Sequence, residues 1–494
     1  MKSLFSTPRA RWLPWLGALM LLGAALRLVN LHAPPLDFHP TRQLRNSLVA
    51  RAIYYQSLGG AEPEKLALAQ SFRRTVGQYE PPIVETIVGR TFLAFDGESF
   101  AVARVYGTLF WLLAGVALFD LGRRIASAPS ALIALAYYLV LPFGVQASRS
   151  FQPDPLMTSA FVAGIYALYR WSEDPRWRWA LLGAAFAGLA VLVKVVIVFL
   201  VAGAAVAAVL TALGGKFWRS PQVWVMAALM ILPSATYYLI LTSARSSEYF
   251  FAWTVELLGL ITSVHFYSDW LGFLGSLVGL TFFFIALLGT ALAPSRLRWM
   301  LIGIWAGYLL YGLTLPFQMY THSYYHLQIV PVIALALVPV VEAAMDRARG
   351  LPHGWQAIAA VPIVLFAVYQ AWAARSVLVQ EDFSDAPVLW RSIGEAIPQD
   401  ADVVGLTQDY GYDLMYWGWR KVQPWPLRTA LSDLRAGDRD IQARFAETAA
   451  GNDYFLVTAF GQLESQPALA EALNGYAVAA EGEGFVLYDL NAPK

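Results

Sequence analysis

The residues best suited to chemistry in this sequence lie in one short polar segment, residues 36–43, directly after an apolar stretch. The segment contains an acid, an imidazole, a guanidinium and an amide: Asp37, His39, Arg42 and Gln43. Asp37 has the chemistry of a general base for an attacking hydroxyl, with Arg42 or His39 binding an anionic group and Gln43 nearby as a substrate contact. The alternative is a solvated loop in which Asp37 caps the following helix. The residues alone leave both open.

A second carboxylate, Glu80, follows in residues 78–82. Pro81 and Pro82 restrict the backbone beside it, so that the carboxylate is held in one orientation. Such a group would orient an acceptor or bind a metal ion. The alternative is a simple turn leading into the next helix.

Cationic side chains are candidates for binding phosphate further along the chain. Arg149 offers paired donors in a planar fork, and Asp154 is expected to cap the next helix or to hold Arg149 in place. Lys194 interrupts a long apolar stretch, which predicts a turn near a membrane interface. The alternative for Lys194 is a side chain that extends from a helix end to the surface.

Two histidines, His322 and His326, are four positions apart around Tyr325. On a helix they would share one face, and that spacing can bind a metal ion. Aromatic and histidine side chains also anchor helices at the headgroup level of a membrane. Contact with a phosphate or an acceptor is favoured over metal binding here.

The composition sets limits on the class of protein. The chain has 494 residues, of which 58% are hydrophobic and 14% charged, with a mean hydropathy of +0.50. This is too apolar for an ordinary soluble protein. A net charge of +1 argues against nucleic-acid binding, and the absence of cysteine excludes disulfides and thiol catalysis. No glycine-rich phosphate loop is present, and residues 438–440 (Asp-Arg-Asp) are interpreted as an exposed helix face.

The elements that must position these residues are membrane-spanning helices. About eleven apolar segments are long enough to cross a bilayer: residues 12–29, 99–121, 129–147, 154–171, 178–193, 195–213, 222–242, 270–292, 299–316, 325–345 and 355–374. Basic residues, beginning with Lys2, Arg9 and Arg11, fall on one side if the spans alternate. The N-terminus is then cytoplasmic, the first span is retained, and residues 30–98 and 375–494 both lie outside.

These two outer segments are expected to be structured. Leu44, Leu48, Ala52 and Tyr55 share a helical face, which predicts an interfacial amphipathic helix in the first loop. The tail combines β-rich runs at 403–406, 454–458 and 484–490 with helical stretches at 431–449 and 465–474. The fold class is therefore a mainly α, polytopic membrane protein, residues 1–374, with a small extracytoplasmic α/β domain, residues 375–494.

Taken in order, these motifs resemble the GT-C glycosyltransferases, specifically the bacterial enzymes grouped with protein O-mannosyltransferases and the aminoarabinose transferases of lipid A. The resemblance covers roughly residues 10–374. It rests on residues 37–43 after the first span, on Glu80 with two prolines, on Arg149 with Asp154, on Lys194, and on residues 322–326. Many members have Asp-Glu where this chain has Asp37-Phe38, so metal binding is left open.

The resemblance implies an inverting transfer of a sugar from a polyprenyl-phosphate donor, with Asp37 as the base and Glu80 as a second acidic position. Arg42, Arg149, Lys194 and His322 are then donor-phosphate ligands, and His39, Gln43, Asp154, Tyr325 and His326 are substrate contacts. The acceptor is a glycan, a lipid or a protein. A divalent cation is the one cofactor left open, and the expected location is the bacterial inner membrane.

Two other classes of protein fit parts of the sequence. A transporter or lipid flippase also needs many spans, but its ionisable groups usually lie near the middle of broken helices, whereas here they cluster at one surface. A scaffold protein of envelope synthesis would need only the soluble tail. In that case the carboxylates of the first loop would be dispensable.

Overall fold

The computed structural model describes residues 12–77, 79–95, 97–241, 254–428 and 441–494, and these are mainly helical with a small C-terminal sheet, as predicted. The chain forms two compact units. The first, called the helical unit, comprises Met1–Leu31, Gln78–Val84 and Ala101–Glu381. The second, called the sheet unit, comprises His32–Gly77, Glu85–Phe100 and Asp382–Lys494. Lys2, Arg9, Arg11, Gln78 and residues 438–440 lie outside the described residues.

The helical unit consists of long apolar helices joined by short connections. Its α-helices, with Phe100–Ile125 counted here, are Leu13–Arg27, Phe100–Ile125, Ala128–Val140, Pro142–Arg149, Asp154–Glu173, Trp177–Val193, Val198–Leu213, Pro221–Ala235, Val264–Val278, Leu280–Leu292, Ser295–Thr314, Gln318–Thr321, Ile329–Arg349 and His353–Val379. Shorter helical turns are Val195–Ile197, Gly214–Arg219, Thr236–Leu241, Val255–Thr262 and Ser323–His326.

Five of the described helices are long and apolar enough to cross a membrane: Phe100–Ile125, Val195–Arg219, Pro221–Leu241, Ser323–Arg349 and Gly354–Val379. The number is seven if each of two bent helix pairs counts as one span. All eleven predicted segments overlap helices, but the total of eleven spans remains a prediction. Large apolar side chains such as Leu113, Ile231 and Leu365 are exposed, as expected of a surface that faces lipid.

The two bends have local causes. Ala128–Val140 meets Pro142–Arg149 at 61°, and Pro142 has no N–H with which to continue the first helix. Val264–Val278 meets Leu280–Leu292 at 93° through Gly279, whose φ of +78° is readily accessible only to glycine. Sequence hydropathy predicted each pair as one segment because a bend leaves the apolar composition unchanged.

Close helix packing depends on glycine, as one pair of helices illustrates. A Cβ atom on Gly203 would lie 1.9 Å from the carbonyl oxygen of Gly303. The helices Val198–Leu213 and Ser295–Thr314 therefore meet backbone to backbone. Small residues permit this kind of contact in membranes, where water does not drive helix association.

The sheet unit contains a five-stranded sheet in the order β2-β1-β3-β5-β4, with β1 Val403–Leu406, β2 Gln423–Pro424, β3 Tyr454–Val457, β4 Tyr476–Gly482 and β5 Phe485–Pro493. Strand β1 is parallel to β2 and β3, whereas β5 is antiparallel to β3 and β4. Its α-helices are Pro40–Ser57, Pro63–Thr75, Ile83–Thr91, Ala386–Ala396, Ile441–Ala449, Phe460–Glu464 and Pro467–Asn474, with Ile83 and Val84 assigned to the helical unit.

Residues of the first loop and of the tail share one hydrophobic core in the sheet unit. Leu44, Leu48 and Phe72 are fully buried in the same cluster as Ile393 and Leu456. The helix at Pro40–Ser57 was predicted correctly, but its amphipathic character was not, and its position at a membrane interface stays a prediction. Its polar residues Gln43, Arg45, Asn46 and Arg51 are buried as well, because they find hydrogen-bond partners inside the unit.

Candidate active site

The candidate base, Asp37, is held by a buried amide. Gln43 has no exposed surface, and its Nε2 donates to Asp37 Oδ1 at 3.2 Å and to the Phe38 carbonyl at 2.7 Å. Gln43 lies in the first turn of the helix Pro40–Ser57, whose N-cap residue is His39 with a φ of +47°. Asp37 therefore does not cap this helix, and that alternative is wrong. The half-buried Asp37 carboxylate is oriented by a side chain that the helix fixes.

The first turn of this helix also bonds to the tail. The Thr41 hydroxyl donates to Asp409 Oδ1. Burial raises the pKa of Asp409, and the Thr41 hydrogen bond offsets part of that rise. Burial and the charge of Asp409 together raise the pKa of Asp413 to about 8. Arg42 and His39, in the same turn as Thr41, are half-buried.

A second attachment lies in the middle of the helix. Arg51 Nε contacts both carboxylate oxygens of Glu98 at 2.9 Å, and its Nη1 donates to the Tyr416 carbonyl at 2.6 Å. The guanidinium group lies 3.9 Å from the Tyr416 ring centroid and 4.4 Å from that of Trp419. These contacts satisfy a buried cation by ion pairing, hydrogen bonding and cation–π attraction together.

In the helical unit, Arg149 belongs to a group of three buried arginines. Arg149 Nη2 donates to the Asn30 carbonyl at 3.1 Å, and Arg104 Nη1 donates to the same oxygen at 3.0 Å. Arg27 Nε donates to Ser148 Oγ at 2.7 Å. Arg27 and Arg104 were not identified as site residues from the sequence. The sequence does contain a signal for these two residues, because an arginine within an apolar helix marks a functional position by default.

Lys194 and Asp154 form a buried ion pair. Lys194 Nζ lies 2.8 Å from Asp154 Oδ1, and both side chains are under 5% exposed. The ammonium is also 4.4 Å and 4.5 Å from the ring centroids of Tyr324 and Tyr325.

The structure tests three sequence interpretations of these two residues. The turn at Lys194 is observed, since its backbone is extended between two helices. The idea that Lys194 merely reaches the surface is wrong, because the side chain is buried. The cap predicted for Asp154 is wrong as well: Pro153 is the N-cap residue, and no side chain caps that helix. Asp154 binds Lys194 instead.

The histidines do not share a helical face. The helix Gln318–Thr321 ends before His322, whose backbone is extended, and Ser323–His326 is a separate short turn. His326 is fully buried between the Tyr308 hydroxyl, 2.6 Å from Nδ1, and the Met319 carbonyl, 3.0 Å from Nε2. Because a carbonyl only accepts, Nε2 carries the hydrogen and Nδ1 accepts from Tyr308. The i, i+4 geometry that a metal site would need is therefore absent at these two residues, and contact with a phosphate or an acceptor stays a prediction.

The other predicted positions are half-buried. Glu80 precedes the helix Ile83–Thr91 at a tight turn in which the Ile83 amide donates to the Pro81 carbonyl at 2.7 Å. His322 and Tyr325 are half-buried. Within the described part of the chain, no three His, Asp or Glu side chains are grouped so as to hold a metal ion.

Comparison with known proteins identifies a family model and solved structures that match this chain. The family model described as dolichyl-phosphate-mannose-protein mannosyltransferase matches residues 80–240, which include Glu80, Arg149 and Lys194. The crystal structure of ArnT from Cupriavidus metallidurans bound to undecaprenyl phosphate matches with a TM-score of 0.61 at 15% identity, covering 98% of each chain. This chain has the GT-C glycosyltransferase fold. The resemblance predicted from the sequence is confirmed.

More distant structures share the GT-C fold. The archaeal oligosaccharyltransferase AglB from Archaeoglobus fulgidus, in complex with an inhibitory peptide and a dolichol-phosphate, matches with a TM-score of 0.52 at 13% identity, over 91% of this chain and 70% of that one. The arabinofuranosyltransferase AftD from Mycobacteria has a TM-score of 0.50 at 16% identity, over 92% of this chain and 37% of that one. No curated protein matches by sequence.

Within the GT-C fold, the described side chains divide into two chemical sets. The sheet unit holds an oriented carboxylate, Asp37, and a half-buried cation, Arg42. The helical unit holds a carboxylate, Glu80, and buried cations, of which Lys194 is neutralised by Asp154. The first set can accept a proton, and the second can stabilise anionic oxygen.

Proposed function

We propose that the protein is an integral membrane glycosyltransferase that moves a sugar from a polyprenyl-phosphate donor to an acceptor hydroxyl on the extracytoplasmic face. The single observation that carries the proposal is the match over 98% of both chains to a structure holding undecaprenyl phosphate. The family model over residues 80–240, named for a lipid-phosphate sugar donor, supports it independently. The proposed location is the bacterial inner membrane, with a cytoplasmic N-terminus.

Asp37 is the proposed general base. The acceptor hydroxyl attacks the anomeric carbon of the sugar while its proton passes to the Asp37 carboxylate. The bond between the anomeric carbon and the phosphate oxygen breaks, and its electron pair leaves with the lipid phosphate, so the configuration inverts. The hydrogen bond from Gln43 supports this role, because it fixes the direction of the carboxylate.

The leaving phosphate requires positive charge, which Arg42, Arg149, Lys194 and His322 are proposed to supply. Arg149 is a candidate because its guanidinium is buried and donates to the Asn30 carbonyl, which fixes its position. Lys194 already has Asp154 as a counter-ion, so its share is smaller. His39, Gln43, Asp154, Tyr325 and His326 are proposed substrate contacts, and Glu80 is proposed to orient the acceptor.

The direct test compares cells with and without the protein by mass spectrometry of envelope lipids, glycans and glycoproteins. We expect one sugar modification to disappear and to return when the wild-type gene is supplied in trans. The mass lost from the acceptor identifies both sugar and acceptor. An unchanged set of glycoconjugates, together with loss of a transport activity, would overturn the proposal.

A further inference from the structure

A strained segment of the tail makes direct contact with the helix turn that orients the candidate base. Asp409 and Tyr410 have φ values of +48° and +58°, and Gly411 follows at +72°. Left-handed backbone costs a non-glycine residue about 1–2 kcal/mol. Two consecutive residues of this kind persist only where the surroundings enforce them, and such strain is concentrated at functional positions.

This strained backbone sets the direction of the Asp409 carboxylate. Asp409 is half-buried and accepts a hydrogen bond from the hydroxyl of Thr41, 368 positions earlier in the chain. Thr41 is the second residue of the helix Pro40–Ser57, and it lies between His39 and Gln43. Gln43 in turn donates to Asp37. Three residues, Asp409, Thr41 and Gln43, therefore connect the tail to the candidate base.

The same part of the tail holds the helix at a second point. Arg51 donates to the carbonyl of Tyr416, which lies in the turn Leu414–Gly418. Thr41 and Arg51 are ten positions apart, or about 15 Å along a helix. Attachment at two separated points restrains rotation of the helix as well as its translation. The position of Gln43, and through it that of Asp37, is thereby restrained.

We infer that Asp409 is a positioning residue for transfer: through Thr41 it fixes the helix turn that orients Asp37. The inference rests on the proposed function, in which Asp37 is the base. Its physical basis is the steep dependence of catalysis on geometry, because a displacement of about 1 Å can slow a reaction by about a hundredfold. Three of the four proposed phosphate ligands lie outside this turn, so donor binding depends on it less than the transfer step does.

The test uses the full-length protein in nanodiscs with a panel of undecaprenyl-phosphate-linked hexoses and pentoses as donors. Thr41→Val removes the donor hydroxyl at nearly constant shape, and Asp409→Ala removes the acceptor. We expect each to lower kcat at least tenfold, with a smaller change in the donor KM because Arg42 alone of the proposed phosphate ligands lies in this turn. The double variant should be no slower than the worse single variant, since both substitutions remove one interaction.

Conservative variants separate positioning from general damage. Thr41→Ser keeps the hydroxyl, and Asp409→Asn keeps an acceptor oxygen on a residue that tolerates left-handed backbone, so both should retain at least half of the wild-type kcat. Asp400→Ala, an exposed change in the same unit, is the matched control. Hydrogen exchange should accelerate over residues 37–43 in Thr41→Val but not over β3.

The outcomes distinguish failure of the positioning inference from failure of the proposed function. Full kcat in Thr41→Val and Asp409→Ala, alongside an inactive Asp37→Asn, overturns the positioning inference and leaves the proposed function standing. Full activity in Asp37→Asn overturns the proposed function itself. Accelerated exchange throughout the sheet unit of Thr41→Val would show that the hydrogen bond serves folding alone, which also overturns the inference.

Discussion

At the scale of single residues, the pairing of Lys194 with Asp154 changes what each can do. Their atoms are 2.8 Å apart, and both side chains are buried. A buried pair is stable chiefly because neither charge is left alone, whereas replacing both partners with apolar residues of similar size is often tolerated. A structural role and a phosphate-binding role for Lys194 can therefore be separated by mutation.

Lys194→Met and Asp154→Leu should each lower the free energy of unfolding by about 3–5 kcal/mol, because each leaves one buried charge unpaired. The double variant should recover most of that loss. Thermal unfolding in nanodiscs checks the stability. If Lys194 also binds the donor phosphate, the double variant stays impaired in transfer. Additive destabilisation in the double variant would contradict the ion-pair account.

Both residues of this pair were candidates in the sequence, but the contact between them was not predicted. Lys194 and Asp154 were both named, but Asp154 was expected to cap the next helix or to hold Arg149 in place, because local patterns favour such roles. The two residues are 40 positions apart, and no periodicity connects them. For the same reason His326 was paired with His322, its neighbour in sequence, rather than with Tyr308, its partner in space.

At the scale of elements, the helix Pro40–Ser57 was predicted from its apolar face, but the burial of its polar face was not. The partners of that face are far away in the chain: Tyr416 lies 365 positions from Arg51. A hydrophobic pattern identifies the side of a helix that is buried by apolar contact. It does not reveal polar residues that are buried because a distant segment satisfies them.

Arg51→Lys should weaken the hold on this helix while keeping the charge. Lysine lacks the planar fork that contacts both Glu98 oxygens and stacks on Tyr416. We expect a loss of about 2 kcal/mol, within the range for charge-assisted hydrogen bonds. Faster hydrogen exchange over residues 40–57 is the readout, with the exposed Arg74→Lys as the control. Unchanged protection would contradict the assigned role.

Asp413 should make the stability of the sheet unit depend on pH. Its pKa rises from 3.8 to about 8 on folding, so the folded state holds the proton more tightly. The contribution of protonated Asp413 to the free energy of unfolding is therefore complete below pH 3.8 and declines as the pH rises towards 8. Asp413→Asn cannot ionise and should show a flatter decline, melting several degrees above wild type at pH 9.

The unfolding temperature of purified protein between pH 5 and pH 9 tests this expectation. Asp400→Asn, an exposed change in the same unit, should leave the wild-type profile unchanged. Superimposable profiles for Asp413→Asn and wild type would show that Asp413 does not titrate in this range.

At the scale of the whole molecule, the sequence predicted a mainly helical membrane protein with a small C-terminal sheet and its resemblance to the GT-C glycosyltransferases. These features depend on composition and on the order of motifs along the chain, so they can be predicted although identity to the ArnT structure is only 15%. The strand β4 was missed, because its Ala-rich sequence lacks the β-branched pattern and pairs through a turn at Gly484. The helix bends were missed because they leave hydropathy unchanged.

The central claim is that the oriented carboxylate of Asp37 takes the proton from the acceptor. Asp37→Asn keeps the shape of the side chain and a hydrogen-bond acceptor for Gln43, but it removes the base. The decisive measurement is sugar transfer in nanodiscs from undecaprenyl-phosphate-linked donors by Asp37→Asn and by the exposed control Asp400→Asn. We predict at least a hundredfold loss of kcat in Asp37→Asn, with wild-type expression and unfolding temperature, and no loss in the control. Transfer at the wild-type rate by Asp37→Asn would contradict the account.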